Sequence, residues 1–238
     1  MNWSVSGLSN SMPTVDQHPE SPENPPYGRT LQSCMTEFTW NDSELACSSE
    51  WILPAVRSEV QSLPRGSVVA DLGCGNGSLL GHLRDLGFTL HGLDGSVSGL
   101  GQAKKRYPDI TFSHADLTSD LSGHAVAGGC DAVISTEVVE HVFLPRLFAA
   151  NCYKMLKPGG ILIISTPYHG YFKNLVLGIS GKLDSHFTAL WDYGHIKFWS
   201  LRTLTTLLRE AGFVVERFRG VGRVPFLWKT MILVARRP

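Results

Sequence analysis

Two glutamates and a histidine, Glu137, Glu140 and His141, form the group of side chains best suited to chemistry in this sequence. Residues three and four apart lie on the same face of an α-helix, so a helix that begins here would bring the three side chains together. Carboxylates and an imidazole are ligands for Mg²⁺, Mn²⁺ or Zn²⁺, and His195, before the last predicted helix, is expected to supply a fourth ligand. The alternative is that no metal binds and the acids only complement the helix macrodipole.

Three histidines are candidates for accepting a proton if no metal binds. They are His141, His169 and His195, and imidazole suits this role because it titrates near neutral pH. His169 belongs to a long segment rich in aromatic residues, 166–199, with the length and composition of a lid or binding loop. An isolated loop histidine more often only forms a hydrogen bond, so the role of His169 stays open.

A second chemical feature is the run of alternating glycines that follows an apolar strand near residues 67–71. Gly73, Gly75 and Gly77 permit positive φ angles and leave room for a ligand against the backbone, as a nucleotide-type cofactor requires. The spacing G-x-G-x-G is less suited than G-x-G-x-x-G to binding a pyrophosphate at the N-terminus of the following helix. Asp71, before the first of these glycines, would repel phosphates but would suit the ammonium of a methionine moiety.

Two further acids complete the predicted cofactor site. Asp94 ends the second apolar strand, 19 residues beyond Gly75, where a carboxylate can accept hydrogen bonds from ribose hydroxyls. Asp116 follows a third short strand and is placed to accept a hydrogen bond from an adenine amine. Together with the glycine spacing, these acids favour S-adenosylmethionine over NAD as the cofactor.

Strands and helices alternate from residue 67 onward, which predicts a parallel sheet with right-handed crossovers. Strands are expected near residues 67–71, 88–93, 110–113, 131–135 and 161–165, and helices near 78–86, 96–106, 137–156 and 200–211. Two more strands, near 213–219 and 226–235, would form an antiparallel hairpin at the edge of the sheet. Ligands of such sheets bind beyond the carboxyl ends of the strands, so one cleft is expected to collect Asp71, Asp94 and Asp116.

With the glycine-containing turn at 156–160, these motifs resemble the class I S-adenosylmethionine-dependent methyltransferases over roughly residues 50–235. The resemblance implies an α/β, Rossmann-like doubly wound sheet that is mostly parallel, with a C-terminal antiparallel hairpin strand. It implies S-adenosylmethionine as cofactor, bound by Asp71, Gly73, Gly75, Asp94 and Asp116. The set Glu137, Glu140, His141 and His195 is similar to the metal site of ubiquinone-biosynthesis O-methyltransferases and of small-RNA 3′-terminal 2′-O-methyltransferases. The loop between residues 167 and 194 matches neither group closely, which leaves the substrate open.

The chain is expected to divide into an arm and one domain. Residues 1–33 are rich in Ser, Pro and Asn and are expected to be a disordered or flexible arm. Residues 34–238 would form a single methyltransferase domain, with an N-terminal helical cap at 34–64 and a lid loop at 166–199.

Composition narrows the partners and the compartment. The formal net charge is zero, so no global field attracts a polyanion, and a nucleic-acid partner is disfavoured. The five cysteines have no C-x-x-C spacing and are odd in number, which predicts free thiols in a reducing compartment. No stretch has the length and hydrophobicity of a membrane span, and no signal peptide is evident. A cytoplasmic protein is expected, and its oligomeric state stays open.

The sequence therefore predicts a methyltransferase that moves a methyl group from S-adenosylmethionine to an oxygen of a small, aromatic or hydrophobic acceptor, with or without a bound divalent metal. The alternatives are transfer to nitrogen or sulfur of a small molecule, methylation of RNA 3′ ends, and a non-catalytic S-adenosylmethionine-binding protein. An RNA enzyme should show a basic track beside the cleft. A non-catalytic protein would need neither Glu137 nor His195.

Overall fold

A computed structural model describes residues 49–187, 189–190 and 194–238. The strands are β1 (Val68–Leu72), β2 (Thr89–Asp94), β3 (Thr111–His114), β4 (Cys130–Thr136), β5 (Leu156–Pro167), β6 (Val214–Val221) and β7 (Thr230–Arg236). The α-helices are α1 (Ser49–Val60), α2 (Ser78–Gly81), α3 (Val97–Arg106), α4 (Pro145–Met155), α5 (Tyr171–Ile179), α6 (Leu183–Phe187) and α7 (Leu201–Glu210), and a 3₁₀ turn covers Arg84–Leu86. The expected arm at 1–33 and residues 34–48 of the expected cap lie outside the described residues.

The strands form one sheet in the order β3-β2-β1-β4-β5-β7-β6. Strands β1 to β5 run parallel, and β7 pairs antiparallel with both β5 and β6. This arrangement confirms the predicted Rossmann-like sheet with its C-terminal antiparallel hairpin. The strand order reverses direction between β1 and β4, so the crevice beyond the carboxyl ends of these two strands is the expected ligand site.

The sheet separates two hydrophobic layers because alternate side chains of the central strands point to opposite faces. Ala70 and Val133 belong to the layer that α4 and α7 cover, whereas Val69 and Ile134 belong to the layer that α1 and α3 cover. Burial on both faces explains why these strands read as continuous apolar runs in the sequence. These two layers fix the positions of the strands, and the acids of the crevice lie at the strand ends.

The helix predicted at 137–156 is wrong in its first half. Residues 137–144 form turns, and α4 begins only at Pro145, which occupies the first helical turn. Glu137 has a φ of 55°, in the left-handed region, so it cannot continue into a right-handed helix. The helix predicted at 78–86 is also shorter, since it divides into α2 and the 3₁₀ turn.

Other predictions meet the structure as follows. The expected lid loop at 166–199 contains two helices, α5 and α6, and the last predicted strand starts later, at Thr230. Cys74, Cys130 and Cys152 are free, as predicted for the cysteines, and all three are buried. None of the helices in the described part of the chain has the length and hydrophobicity that a membrane crossing requires. The cytoplasmic location stays a prediction.

Helix α7 starts with a capping box that fixes the end of the preceding segment. The Ser200 hydroxyl accepts a hydrogen bond from the Thr203 backbone N–H, and the Thr203 hydroxyl accepts one from the Ser200 N–H. We expect Ser200→Ala to lower the free energy of unfolding by about 1 kcal/mol, because an N–H of the first turn loses its acceptor. Denaturant unfolding measures this change. The control is Thr206→Ala, whose hydroxyl bonds only to Arg202 O within the same helix, and an equal loss in the control would contradict the capping argument.

Candidate functional site

The glycine turn after β1 is shaped by contacts that exclude side chains. Gly73 and Gly77 have φ angles of 89° and 73°. A Cβ on Gly73 would lie 2.3 Å from a methyl of Val138, and a Cβ on Gly77 would lie 2.7 Å from the ring of Phe112. The turn therefore packs against the segment after β4 on one side and against β3 on the other. Gly75, between them, also has a positive φ, of 50°.

Asp94 holds this turn in place through main-chain donors. Its two carboxylate oxygens accept hydrogen bonds from Gly75 N and Ser96 N, both at 2.7 Å. Ser96 in turn caps α3, since its hydroxyl accepts from Gly99 N at 3.0 Å. The acid predicted to bind ribose thus lies directly beside the glycine turn, half-buried at the end of β2.

Asp71 is a buried acid that lacks a hydrogen-bond partner on one oxygen. Its side chain is 1% exposed, and no described group donates to Oδ1. Burial, assisted by the negative charge of Asp94, raises the pKa of Asp71 to about 8. A buried acceptor without a donor is costly, so this position suits a ligand that brings an ammonium group.

Asp116 lies close to Asp94 through the backbone, because Ala115 N donates to Asp94 O at 2.9 Å. Its Oδ1 accepts from the N–H and the hydroxyl of Thr118, at 2.8 and 2.7 Å. These hydrogen bonds hold the pKa of Asp116 below its usual value. The side chain is exposed and fixed at the rim, where an adenine amine could reach it.

Glu140, His141 and His195 offer ligand atoms that all lie within 4.8 Å of one another. The two imidazole centroids are 4.9 Å apart, and the ring planes meet at 66°. The segment that carries His195 is tied to the turn after β4, because Ile196 N and Lys197 N both donate to Glu140 O at 3.0 Å. The main chain, rather than a common helix face, brings these three residues together.

The electrostatics of this group favour a bound cation. Glu140 is fully buried, and neither carboxylate oxygen has a hydrogen-bond partner; the nearby Thr166 hydroxyl does not bond to it with acceptable geometry. Burial, followed by the charge of Glu137, raises the pKa of Glu140 well above its usual value. Burial and His141 lower the pKa of His195 to about 4, so its imidazole is neutral, which is the form that ligates metal ions. These residues fit a divalent ion.

Glu137, one of the four predicted ligands, lies outside that group. Its Oε1 accepts from the Ser165 hydroxyl at 2.8 Å, and its Oε2 accepts from the Thr230 hydroxyl at 3.4 Å. Burial raises the pKa of Glu137 to about 7 despite these hydrogen bonds. The prediction that Glu137 shares a helix face with Glu140 and His141 is wrong, because Glu137 occupies a left-handed turn. A role as a metal ligand stays a prediction.

His169 is only 7% exposed, and neither ring nitrogen has a hydrogen-bond partner among the described residues. Burial and the charge of Lys173 lower the pKa of His169 to about 4, which makes it a weak base in this arrangement. Lys173 was missed by sequence reasoning. It is 5% exposed and donates to Tyr168 O at 2.8 Å. The signal was a lysine as the single charged residue of α5.

Comparisons with known proteins agree on the domain. A family model for a methyltransferase domain matches residues 50–217. A probable S-adenosylmethionine-dependent methyltransferase of Mycolicibacterium smegmatis is 29% identical over 157 residues, which are 66% of this chain and 55% of that protein. A ubiquinone biosynthesis O-methyltransferase of Burkholderia pseudomallei is 25% identical over 162 residues, covering 67% of this chain and 70% of that protein. The match thus spans little more than half the length of the mycobacterial relative.

A solved structure shares the fold. The magnesium protoporphyrin IX methyltransferase of Synechocystis PCC 6803, with bound SAH, superposes with a TM-score of 0.61 at 21% identity. The superposition covers 79% of this chain and 82% of that one. At this identity the likeness concerns the fold alone.

Asp71→Asn should separate two effects of the buried acid. The pKa of wild-type Asp71 is raised from its usual 3.8 to about 8, so between these pH values the folded protein keeps a proton that the unfolded chain has lost. The wild type therefore loses folding free energy as pH rises through this window, and the full loss is present above about pH 8. We therefore expect the ligand-free variant to be more stable than the wild type at pH 8.5, with a smaller difference at pH 6, in thermal unfolding. Its affinity for S-adenosylhomocysteine should fall, because the ammonium of the ligand loses its carboxylate.

Proton release tests the same assignment in the wild type. At pH 6.5 the ligand ammonium is already formed, and it favours the ionised carboxylate, so binding should expel the proton of Asp71. Calorimetry in two buffers of different ionisation enthalpy measures the release. Equal heats in both buffers, or release that persists in Asp71→Asn, would show that Asp71 does not meet the ammonium.

Asp94→Ala should weaken S-adenosylhomocysteine binding by about 1 to 3 kcal/mol, because buried ribose hydroxyls lose a charged acceptor. The glycine turn also loses the acceptor for Gly75 N. The control is Asp120→Ala, an exposed acid whose side chain bonds to Ser122. Calorimetric titration of both variants decides the matter, and an unchanged affinity in Asp94→Ala would exclude the predicted contact.

Proposed function

Since this chain belongs to the methyltransferase domain family and has the class I S-adenosylmethionine-dependent fold, we propose that it transfers a methyl group from S-adenosylmethionine to an oxygen of a small, aromatic or hydrophobic acceptor. The family and fold confirm the resemblance that the glycine turn and the acids indicate. One observation carries the proposal. Val138 packs directly on Gly73, so the turn that carries Glu140 and His141 lies against the cofactor turn.

The cofactor side of the site consists of three acids and the glycine turn. In this proposal Asp71 binds the ammonium, Asp94 the ribose hydroxyls and Asp116 the adenine amine, while Gly73 and Gly75 allow close approach of the backbone. S-adenosylmethionine, when bound, supplies a methyl group on a positively charged sulfur. The chain then has to align the acceptor oxygen with this methyl for an in-line displacement.

The acceptor side has to produce a nucleophilic oxygen. Glu140, His141 and His195 would hold a divalent ion, whose chemistry there is Lewis acidity toward an acceptor hydroxyl. The orphaned carboxylate of Glu140 supports this assignment, because a buried acid with a raised pKa regains its charge beside a cation. Without a metal, His141 or His195 would accept the proton, which the low pKa of His195 makes less effective.

Three features favour oxygen as the acceptor atom. A carboxylate and two imidazoles bind ions that coordinate hydroxyl oxygens well. The ubiquinone biosynthesis relative is itself named as an O-methyltransferase. When an anionic oxygen attacks the methyl group of a sulfonium, both charges are lost, and a site that excludes water favours this step. The buried imidazole of His169 contacts the rings of Phe187 and Phe198, which add apolar surface beside it.

The metal proposal is tested by separating metal affinity from cofactor affinity. We expect Glu140→Gln and His195→Ala each to lower Mn²⁺ affinity and methyl transfer by about 10- to 100-fold, because a ligand is lost. Binding of S-adenosylhomocysteine should stay nearly unchanged, since other residues bind it. Calorimetry with Mn²⁺ alone and a methyl-transfer assay on a catechol panel give the two values.

Glu137→Gln is the matched variant, because it removes an acid from the same turn but outside the three-residue group. If Glu137 only anchors the turn to Ser165 and Thr230, the variant keeps its Mn²⁺ affinity and loses stability. An equal loss of metal affinity would make Glu137 a fourth ligand. Undiminished transfer in excess EDTA would defeat the metal role and leave proton transfer to the histidines.

A further inference from the structure

Three basic side chains meet behind the proposed acceptor site. His169 follows β5, Lys173 lies in the first half of α5, and His186 lies in α6. The imidazole centroids of His169 and His186 are 5.4 Å apart. Lys173 acts electrostatically on both, since its charge lowers the pKa of each histidine. The topology thus collects two imidazoles and an ammonium from three elements.

Three ring nitrogens of the two histidines have no hydrogen-bond partner among the described residues. Both ring nitrogens of His169, and Nε2 of His186, are buried without a partner in the described part of the chain. The amide of Asn174 lies near His169 but forms no hydrogen bond of acceptable geometry with it, and its own Oδ1 is also unpartnered. A neutral imidazole has one N–H donor, and burying such a donor unpaired costs about 1 to 3 kcal/mol.

Lys173 also has fewer hydrogen-bond acceptors than its ammonium group can use. Its ammonium has three N–H donors, and the hydrogen bond to Tyr168 O uses one of them. It forms no ion pair within 4 Å among the described residues, although Glu137 raises its pKa from a distance. Burial and Arg223 nevertheless lower the pKa of Lys173 to about 8, so it stays mostly charged at pH 7. A buried charge of this kind needs a counter-ion.

We propose that His169, Lys173 and His186 bind a carboxylate carried by an aromatic acceptor. The site itself stands on the unpartnered donors, and only the statement that the carboxylate belongs to the acceptor rests on the proposed function. Phe187 and Phe198 pack on His169 with ring centroids 5.9 and 5.2 Å away. These rings would contact the aromatic body of the ligand.

The donor set favours a carboxylate over a phosphate. Two neutral imidazoles and one ammonium supply a single positive charge and a few separated donors, which match two carboxylate oxygens. A phosphate carries more charge and more acceptor oxygens, and it is commonly bound by arginine forks or by backbone N–H groups. The nearby Arg223 is exposed, so it can attract an anion but does not enclose one.

The test compares benzoate with benzamide, which has the same shape but no charge. The full chain is saturated with S-adenosylhomocysteine, and both probes are titrated by calorimetry at pH 7. We expect benzoate to bind at least about tenfold more tightly than benzamide, as expected for charge-assisted hydrogen bonds. Lys173→Met should reduce this preference to about one, and His186→Gln should reduce it severalfold.

The matched control is Lys182→Met, which removes the same charge from the exposed turn between α5 and α6. It should keep the wild-type preference. Equal binding of the two probes by the wild type, no binding of benzoate, or an unchanged preference in both Lys173→Met and His186→Gln would overturn the proposal. Tighter binding of phenyl phosphate than of benzoate would overturn the assignment to a carboxylate.

The outcome is independent of methyl transfer. Binding of S-adenosylhomocysteine and the melting temperature, measured for every variant, show that each one is folded, and His186→Gln keeps the test decisive if Lys173→Met is not. A chain that prefers benzoate but methylates no acceptor would retain the carboxylate site and lose the proposed function. If the chain methylates neutral catechols but binds benzoate no better than benzamide, the proposed function is retained and the carboxylate site is excluded.

Discussion

The contact between Val138 and Gly73 is the constraint on which the site depends. It presses the turn after β4 onto the turn after β1, which only a glycine at position 73 permits. The same turn accepts two hydrogen bonds at Glu140 O from the segment that carries His195. A left-handed residue, Glu137, lets the chain leave β4 at the angle that these contacts need. The glycine turn after β1, the turn after β4 and the segment that carries His195 therefore pack together as one unit.

This unit contains buried acids whose carboxylate oxygens have few hydrogen-bond partners among the described residues. Asp71 and Glu140 are both buried with unpartnered oxygens, and burial is the largest cause of the raised pKa of each. Such an arrangement lowers the stability of the ligand-free protein, because either charge or protonation has to be accommodated in an apolar interior. Ligands that bring positive charge relieve this cost. The two acids thus suit two different cations, an ammonium beside β1 and a metal beyond β4.

Sequence predicted the sheet well because its central strands are buried on both faces and read as apolar runs. It also predicted that Asp71, Asp94 and Asp116 lie at or beyond the ends of successive strands, where the structure has them, and their role in cofactor binding stays a prediction. It failed at Glu137, because a helical spacing of acids does not reveal a positive φ, and Pro145 was the available sign that the helix starts later. It missed Lys173, because burial of a lysine depends on packing between α5 and distant segments that the local sequence does not encode.

The zero net charge of the chain disfavours a polyanionic partner such as nucleic acid, but the same reasoning does not apply to small anions. A net charge of zero makes a broad basic face unexpected, but it does not show where the positive and negative side chains lie. Here the acids Asp71, Asp94 and Glu140 lie around the cofactor turn, whereas Lys173, His169 and His186 lie around α5 and α6. The proposed cation-binding and anion-binding groups are therefore compatible with a chain of zero net charge. Such a division would orient an acceptor between the two, with its hydroxyl toward Glu140 and its acidic group toward Lys173.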